Sequence, residues 1–128
     1  MRFGNAWLSR CWIFTLVLWT FALCAPGSWF GQAATVKVGE VGVGKILHFV
    51  IYALLAGSAG WLPRPIVWRL AIALPLLSAH GALTEIIQTY VAAREGCVRD
   101  WIIDTLGIVL GLAATWRRWP MDSGADRG

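Results

Sequence analysis

Charged side chains are scarce in this sequence. Asp, Glu, Lys and Arg make up 14% of the chain, against about 25% in a typical soluble protein, while hydrophobic residues reach 58%. That shortfall excludes an ordinary soluble domain and indicates a membrane protein, and a length of 128 residues allows one domain. The net charge of +4 comes with no continuous basic face, because Lys and Arg stand singly or in pairs between apolar runs, so nucleic acid is not a partner. Cysteine is limited to Cys11, Cys24 and Cys97. An odd number without C-x-x-C spacing argues against a disulfide framework and against a zinc site, and Cys24 can pair with Cys97 only if both face an oxidising compartment. There is no internal repeat.

What is present is a series of four apolar runs, each close to the roughly 20 residues that cross a bilayer's hydrocarbon core. They predict an all-α, four-helix transmembrane bundle over residues 1–118, with helices over about 11–25, 46–62, 66–90 and 101–116. Pro26-Gly27 ends the first, Pro63-Arg64-Pro65 ends the second, and Arg117, Arg118 and Pro120 close the fourth. Pro75 should kink the third. Residues 119–128 read as a disordered cytoplasmic tail. The first run has the length of a signal peptide, but no A-x-A site follows it and FALC carries Leu23 where a lipoprotein cleavage box wants a small residue, so a retained span is expected.

Counting Lys and Arg orients the bundle. Arg2, Arg10, Arg64, Arg69, Arg117, Arg118 and Arg127 fall on one side, and Lys37, Lys45, Arg94 and Arg99 on the other. By the positive-inside rule both termini are cytoplasmic, and the loops over residues 27–45 and 91–100 are extracytoplasmic. The tryptophans agree: Trp7, Trp12, Trp61, Trp68, Trp116 and Trp119 gather near the inner interface, Trp29 and Trp101 near the outer.

One motif suggests a nucleotide. Gly39 to Lys45, GEVGVGK, fits most of a P-loop, but Ile46 stands where a Ser or Thr would hold magnesium, and a membrane helix follows. A nucleotide partner is therefore not expected, and Gly39, Gly42 and Gly44 read as a flexible re-entry turn.

Polar residues within the apolar runs carry more information. Lys45, His48 and Tyr52 share one helical face, as do Glu85 and Gln88 with Gly81 one turn before, and Asp100, Asp104, Gly107 and Gly111 form a stripe on the fourth helix. A charge facing hydrocarbon costs several kcal/mol, so such groups turn inward to partners or to a water-filled cavity. All three faces lie at the outer ends of their helices, which predicts one outer-leaflet site with Arg94 and Arg99 reaching in from the loop above. For Gln88, Tyr52 and Thr84, hydrogen bonding between helices explains the residue as well as ligand contact does. For Lys45, His48, Glu85, Arg94, Asp100 and Asp104, three acids opposite three bases exceed what the packing of so small a bundle needs. Gly107 and Gly111 make a small-xxx-small packing face, and His80, off the Glu85 face, reads as structural.

The order K-x-x-H-x-x-x-Y from Lys45 to Tyr52, followed by E-x-x-Q-x5-R-x5-D-x3-D-x-x-G-x3-G from Glu85 to Gly111, resembles the VanZ-like family of small bacterial membrane proteins. The chain differs from the family's usual pattern at Gly44, where Asp commonly stands, at Cys97, often Ser, and at Asp104, commonly Asn. The last difference adds a carboxylate. The resemblance implies a multi-spanning helical protein of the cytoplasmic membrane, in a family linked to lower susceptibility to teicoplanin-type lipoglycopeptides, and it brings no reaction with it.

Two functions follow from these residues. In the first, the outer-leaflet pocket binds an envelope lipid, a lipid-linked precursor or a lipoglycopeptide: Lys45, Arg94 and Arg99 meet anionic oxygens while Glu85 and Asp100 orient them. In the second, the protein is a membrane-embedded hydrolase or transferase acting on a lipid head group. His48 and Glu85 are then the acid/base candidates, and Asp100 with Asp104 orient the base or hold a divalent cation. A proton-coupled transporter would use the same groups as a relay, but four short helices offer little machinery for alternating access. No Ser or Cys nucleophile lies beside His48 in sequence, and the carboxylates have no recognised metal spacing, so binding is preferred and no metal is assigned. Neither a cofactor nor an oligomeric state can be read from the residues.

Overall fold

In the computed structural model the described residues are 3–26, 28–29, 37–38, 41–63, 65–91 and 97–120. They form four helices: Phe3–Cys24, Val43–Ala59, Ile66–Gln88 and Val98–Thr115. A two-residue antiparallel pair precedes the second helix, with Lys37 opposite Gly42 and Val38 opposite Val41.

All four helices depart from their apolar runs: the fourth starts at Val98, and the departures of the other three each have a physical reason. The first begins at Phe3, because the segment before Cys11 contains no proline and a single glycine, and nothing there stops a helix. The second begins at Val43 directly after extended Gly42, so Gly44 and Lys45 are helical. The re-entry turn expected over Gly39 to Gly44 is thus replaced, within the described residues, by the Val41–Gly42 strand and the first helical turn. Gly39 lies outside the described residues. In the third helix, Pro75 sits in a π-helical stretch, Ile72–Leu76. The widened turn accommodates the missing proline N–H and the ring that would strike the preceding turn.

The second and fourth helices form the most extensive contact in the molecule. Their backbones meet at glycine: a Cβ on Gly107 would overlap the Phe49 carbonyl, and one on Gly111 would overlap that of Ala53. This is close packing of the small-xxx-small kind. The third helix completes the core, where Tyr52, Leu55, Ala56, Leu77 and Ile108 are buried. The first helix lies at the periphery, fastened by Trp12, whose indole Nε1 donates to the Leu55 carbonyl at 3.0 Å.

The chain beyond the fourth helix is more ordered than its sequence suggests. After the 3-10 turn Trp116–Arg118, the Trp119 ring covers Gly60, is 3% exposed, and donates its Nε1–H to the Gly57 carbonyl at 3.0 Å. Buried Arg69 donates to the Pro120 carbonyl at 2.5 Å. Trp119 therefore belongs to the packed body, because its indole fills the gap that Gly60 leaves, while exposed Pro120 is held by its carbonyl alone. The rest of the expected tail, residues 121–128, lies outside the described residues.

The surface is inverted relative to a soluble protein. Phe14, Leu54, Leu83, Ile86, Leu106 and Leu110 are all more than half exposed, while His48, Thr84, Glu85, Gln88 and Asp104 are buried. Two helices, Ala6–Cys24 and Ile66–Gln88, are long and apolar enough to cross a membrane, and Val43–Ala59 is a shorter apolar helix. Apolar flanks around a polar interior fit a lipid solvent, where polar groups must be satisfied within the bundle.

Candidate functional site

His48, one turn into the second helix, and Asp104, on the fourth, are brought face to face by the glycine contact. His48 Nδ1 lies 2.9 Å from Asp104 Oδ1, with the carboxylate fully buried. Asp104 fits there because Gly81 of the third helix has no side chain: a Cβ at that position would come within 3.0 Å of Asp104 Oδ2. Trp19 of the first helix packs edge-on against the His48 ring, at 5.4 Å between centroids. Imidazole and carboxylate are thus held from three sides.

Glu85 of the third helix joins them. One metal-ligating atom from each of His48, Glu85 and Asp104 lies within 4.8 Å of the other two, and all three residues are buried. Glu85 Oε2 accepts the Cys97 backbone N–H at 2.7 Å, which ties the third helix to the start of the fourth. Its other oxygen, Oε1, and Asp104 Oδ2 have no hydrogen-bond partner among the described residues. Nearer the surface, Lys45 Nζ is 3.8 Å from Asp100 Oδ1, a Coulombic contact too long for a hydrogen bond, with both side chains part-exposed.

Two predicted site residues turn out to join helices. Gln88 Nε2 donates to the Leu23 carbonyl of the first helix at 3.1 Å. Tyr52, fully buried, puts its hydroxyl 2.8 Å from His80 Nδ1, and His80 Nε2 lies 2.8 Å from Thr20 Oγ1. Thr20 donates its own proton to the Leu16 carbonyl at 2.7 Å, so it accepts from His80 Nε2–H, and Tyr52 donates to Nδ1. One neutral imidazole thereby links three helices with both nitrogens satisfied.

Arg94 lies outside the described residues, and Arg99 is exposed in the first turn of the fourth helix. Sequence reasoning brought out His48, Glu85, Asp100 and Asp104 but passed over Trp19 and Trp101. Trp101 Nε1 donates to the Ser78 carbonyl at 3.1 Å and so pins the fourth helix to the third. In the sequence Trp19 is assigned to neither interface and Trp101 only to the outer one, since the packing role of each depends on a neighbour from another helix.

A groove of about 230 Å³ opens beside the cluster, between the third and fourth helices, walled by Ile86, Val98 and Trp101 among others. Its lining is apolar except at Glu85, Thr89 and Cys97. A larger groove of about 320 Å³ between the first two helices, lined by residues such as Leu8, Trp12, Ile51 and Leu54, contains no charged side chain.

The family model described as VanZ/LLP1 matches residues 6–118, which takes in all four helices and every described residue of the polar cluster. The chain belongs to the VanZ/LLP1 family. No curated protein and no solved structure matches it. In this VanZ-like membrane protein the described residues that carry the family resemblance divide into two sets. Lys45, His48, Glu85, Asp100 and Asp104 come together in polar contacts at one end of the bundle, while Tyr52, Gln88, Gly107 and Gly111 hold the helices in register.

Proposed function

We propose that this VanZ-like protein crosses the bacterial cytoplasmic membrane four times, with both termini in the cytoplasm, and binds the polar head of an envelope lipid or lipid-linked precursor at the outer leaflet. The observation that carries the proposal is the apolar groove that Glu85 helps to line, because Glu85 belongs to both the groove and the buried His48 and Asp104 cluster. A lipid has the same two-part chemistry: an acyl chain for the apolar walls and a head group for the polar end. Part-exposed Lys45 and exposed Arg99 place positive charge near the rim, suited to anionic oxygens, while Glu85 accepts from hydroxyl or amine donors. A lipoglycopeptide with its own acyl chain fits the same description, and an effect on teicoplanin-type susceptibility would follow from holding either the antibiotic or its precursor target.

The test is lipid mass spectrometry of the protein purified in mild detergent. Ala82→Trp, which fills the groove and leaves every residue of the charged cluster in the sequence, should lower the co-purifying lipid about tenfold, the equivalent of roughly 1.4 kcal/mol. Equal lipid in the native protein and the Ala82→Trp variant would refute the groove as the binding site.

One observation favours a second reading, a membrane-embedded hydrolase or transferase. A buried carboxylate on His48 Nδ1 orients the imidazole and leaves Nε2 to act as a base. Among the described residues no Ser or Cys side chain bonds to His48, so water would be the nucleophile. Incubation with envelope lipid extracts separates the readings, since products formed by the native protein and not by His48→Ala would establish the enzyme.

Orientation has its own measurement. Cys97 is free and exposed at the start of the fourth helix. A membrane-impermeant maleimide added to intact cells should label it, and protection there with labelling of a cysteine introduced by Arg64→Cys would reverse the proposed topology.

A further inference from the structure

We infer that His48, Glu85 and Asp104 form a site for one divalent transition-metal ion, of the class of Mn²⁺ or Zn²⁺. The three residues come from three different helices, and one ligating atom from each falls within 4.8 Å of the others. In a six-coordinate site with bonds of about 2.1 Å, neighbouring ligand atoms stand about 3.0 Å apart and opposite ones about 4.2 Å. The 2.9 Å separation of His48 Nδ1 and Asp104 Oδ1 matches such an edge, and the outer limit closes with about half an ångström of side-chain movement.

Two further observations point to a ligand. Glu85 Oε1 and Asp104 Oδ2 have no hydrogen-bond partner among the described residues, although Glu85 is 6% exposed and Asp104 0%. A carboxylate oxygen buried without a partner is costly, and a cation that takes Glu85 Oε1 and both oxygens of Asp104 removes that cost. Charge points the same way: two ionised carboxylates and one imidazole do not balance among themselves, whereas a dication with two carboxylates and a neutral imidazole does. The imidazole nitrogen favours a transition metal over Mg²⁺ or Ca²⁺, whose preferred partners are all oxygen. The ion takes the place of the proton lying between Nδ1 and Oδ1, so binding releases that proton. Because Glu85 also walls the groove, an anionic oxygen of a groove ligand can serve as a further metal ligand, although the metal site itself does not depend on what fills the groove.

The experiment uses the full chain in detergent, stripped with a chelator and titrated with MnCl₂, ZnCl₂ or MgCl₂. Bound metal is read by elemental analysis, and folding by circular dichroism. The native protein should take up one equivalent of Mn²⁺ or Zn²⁺ per chain and gain about 5 °C in Tm at saturating metal, with no comparable response to Mg²⁺. Glu85→Gln can still accept the Cys97 N–H, so it should fold yet bind metal about 100-fold more weakly; Asp104→Asn should do the same. A variant with all three cysteines changed to serine should bind as the native protein does, which excludes thiol capture. Folded native protein that takes up neither ion would overturn the inference, as would undiminished binding in a folded Glu85→Gln variant or loss of binding in the cysteine-free one. These readouts need no lipid, so the metal site and the lipid-binding proposal stand or fall separately.

Discussion

Gly111→Leu should prevent the bundle from closing, with a loss of about 3 kcal/mol or more in a detergent unfolding titration followed by circular dichroism. The argument is steric. At Gly111 the backbone of the fourth helix rests on the Ala53 carbonyl of the second, and one turn earlier Gly107 rests on that of Phe49. Both carbonyl groups lie inside a regular helix and are held by its own hydrogen bonds, so they cannot turn away from a new side chain. Relief requires the two helices to separate, and separation breaks the neighbouring contacts, including Thr115 Oγ1 to the Gly57 carbonyl at 3.2 Å. Gly44→Ala is the informative control. Nothing lies within 4 Å of a Cβ there, and alanine in a helix gains up to about 1 kcal/mol over glycine. Equal effects at the two positions would show that helix propensity, and not interhelical contact, governs these glycines.

Breaking the buried pair from one side should be nearly as damaging. Asp104→Val leaves the His48 ring without its carboxylate in a buried site, and removing one member of such a pair typically costs about 3–5 kcal/mol. The double variant His48→Phe with Asp104→Val should recover most of that loss. Phenylalanine keeps an aromatic ring against Trp19, valine approximates the volume of aspartate, and neither half of the pair is left behind without the other. The double-mutant cycle therefore predicts a coupling of at least about 1.5 kcal/mol. Its functional arm decides what the pair is for. If His48 and Asp104 only fasten helices, the stable double variant keeps its lipid; if they form part of the site, it is stable and retains none.

Much of this architecture is legible from residue spacing. Helical periodicity placed Lys45, His48 and Tyr52 on one face and Asp100, Asp104, Gly107 and Gly111 on another, because side chains three and four apart share a face whatever the tertiary context. The cost of exposing charge to hydrocarbon then required those faces to point inward. Spacing did not reveal how the work divides along a face. Tyr52 shares its stripe with His48 but bonds to His80, which sequence had set aside as structural and which serves as a relay of hydrogen bonds between helices. Trp119 looked like the start of a tail because its partners, Gly57 and Gly60, lie half a chain away.

By itself, then, the sequence determined the apolar, helical class of the protein, its four helices, and which positions could hold polar groups in its interior, since these follow from local composition and the 3.6-residue turn. Only the tertiary structure decided which acid meets which base. Lys45 faces Asp100 and His48 faces Asp104 because Gly107 on Phe49 and Gly111 on Ala53 set the axial register of two helices. A slide of one turn, about 5.4 Å, would bring His48 opposite Asp100 or Ile108 and set Tyr52 or Lys45, in place of His48, against Asp104.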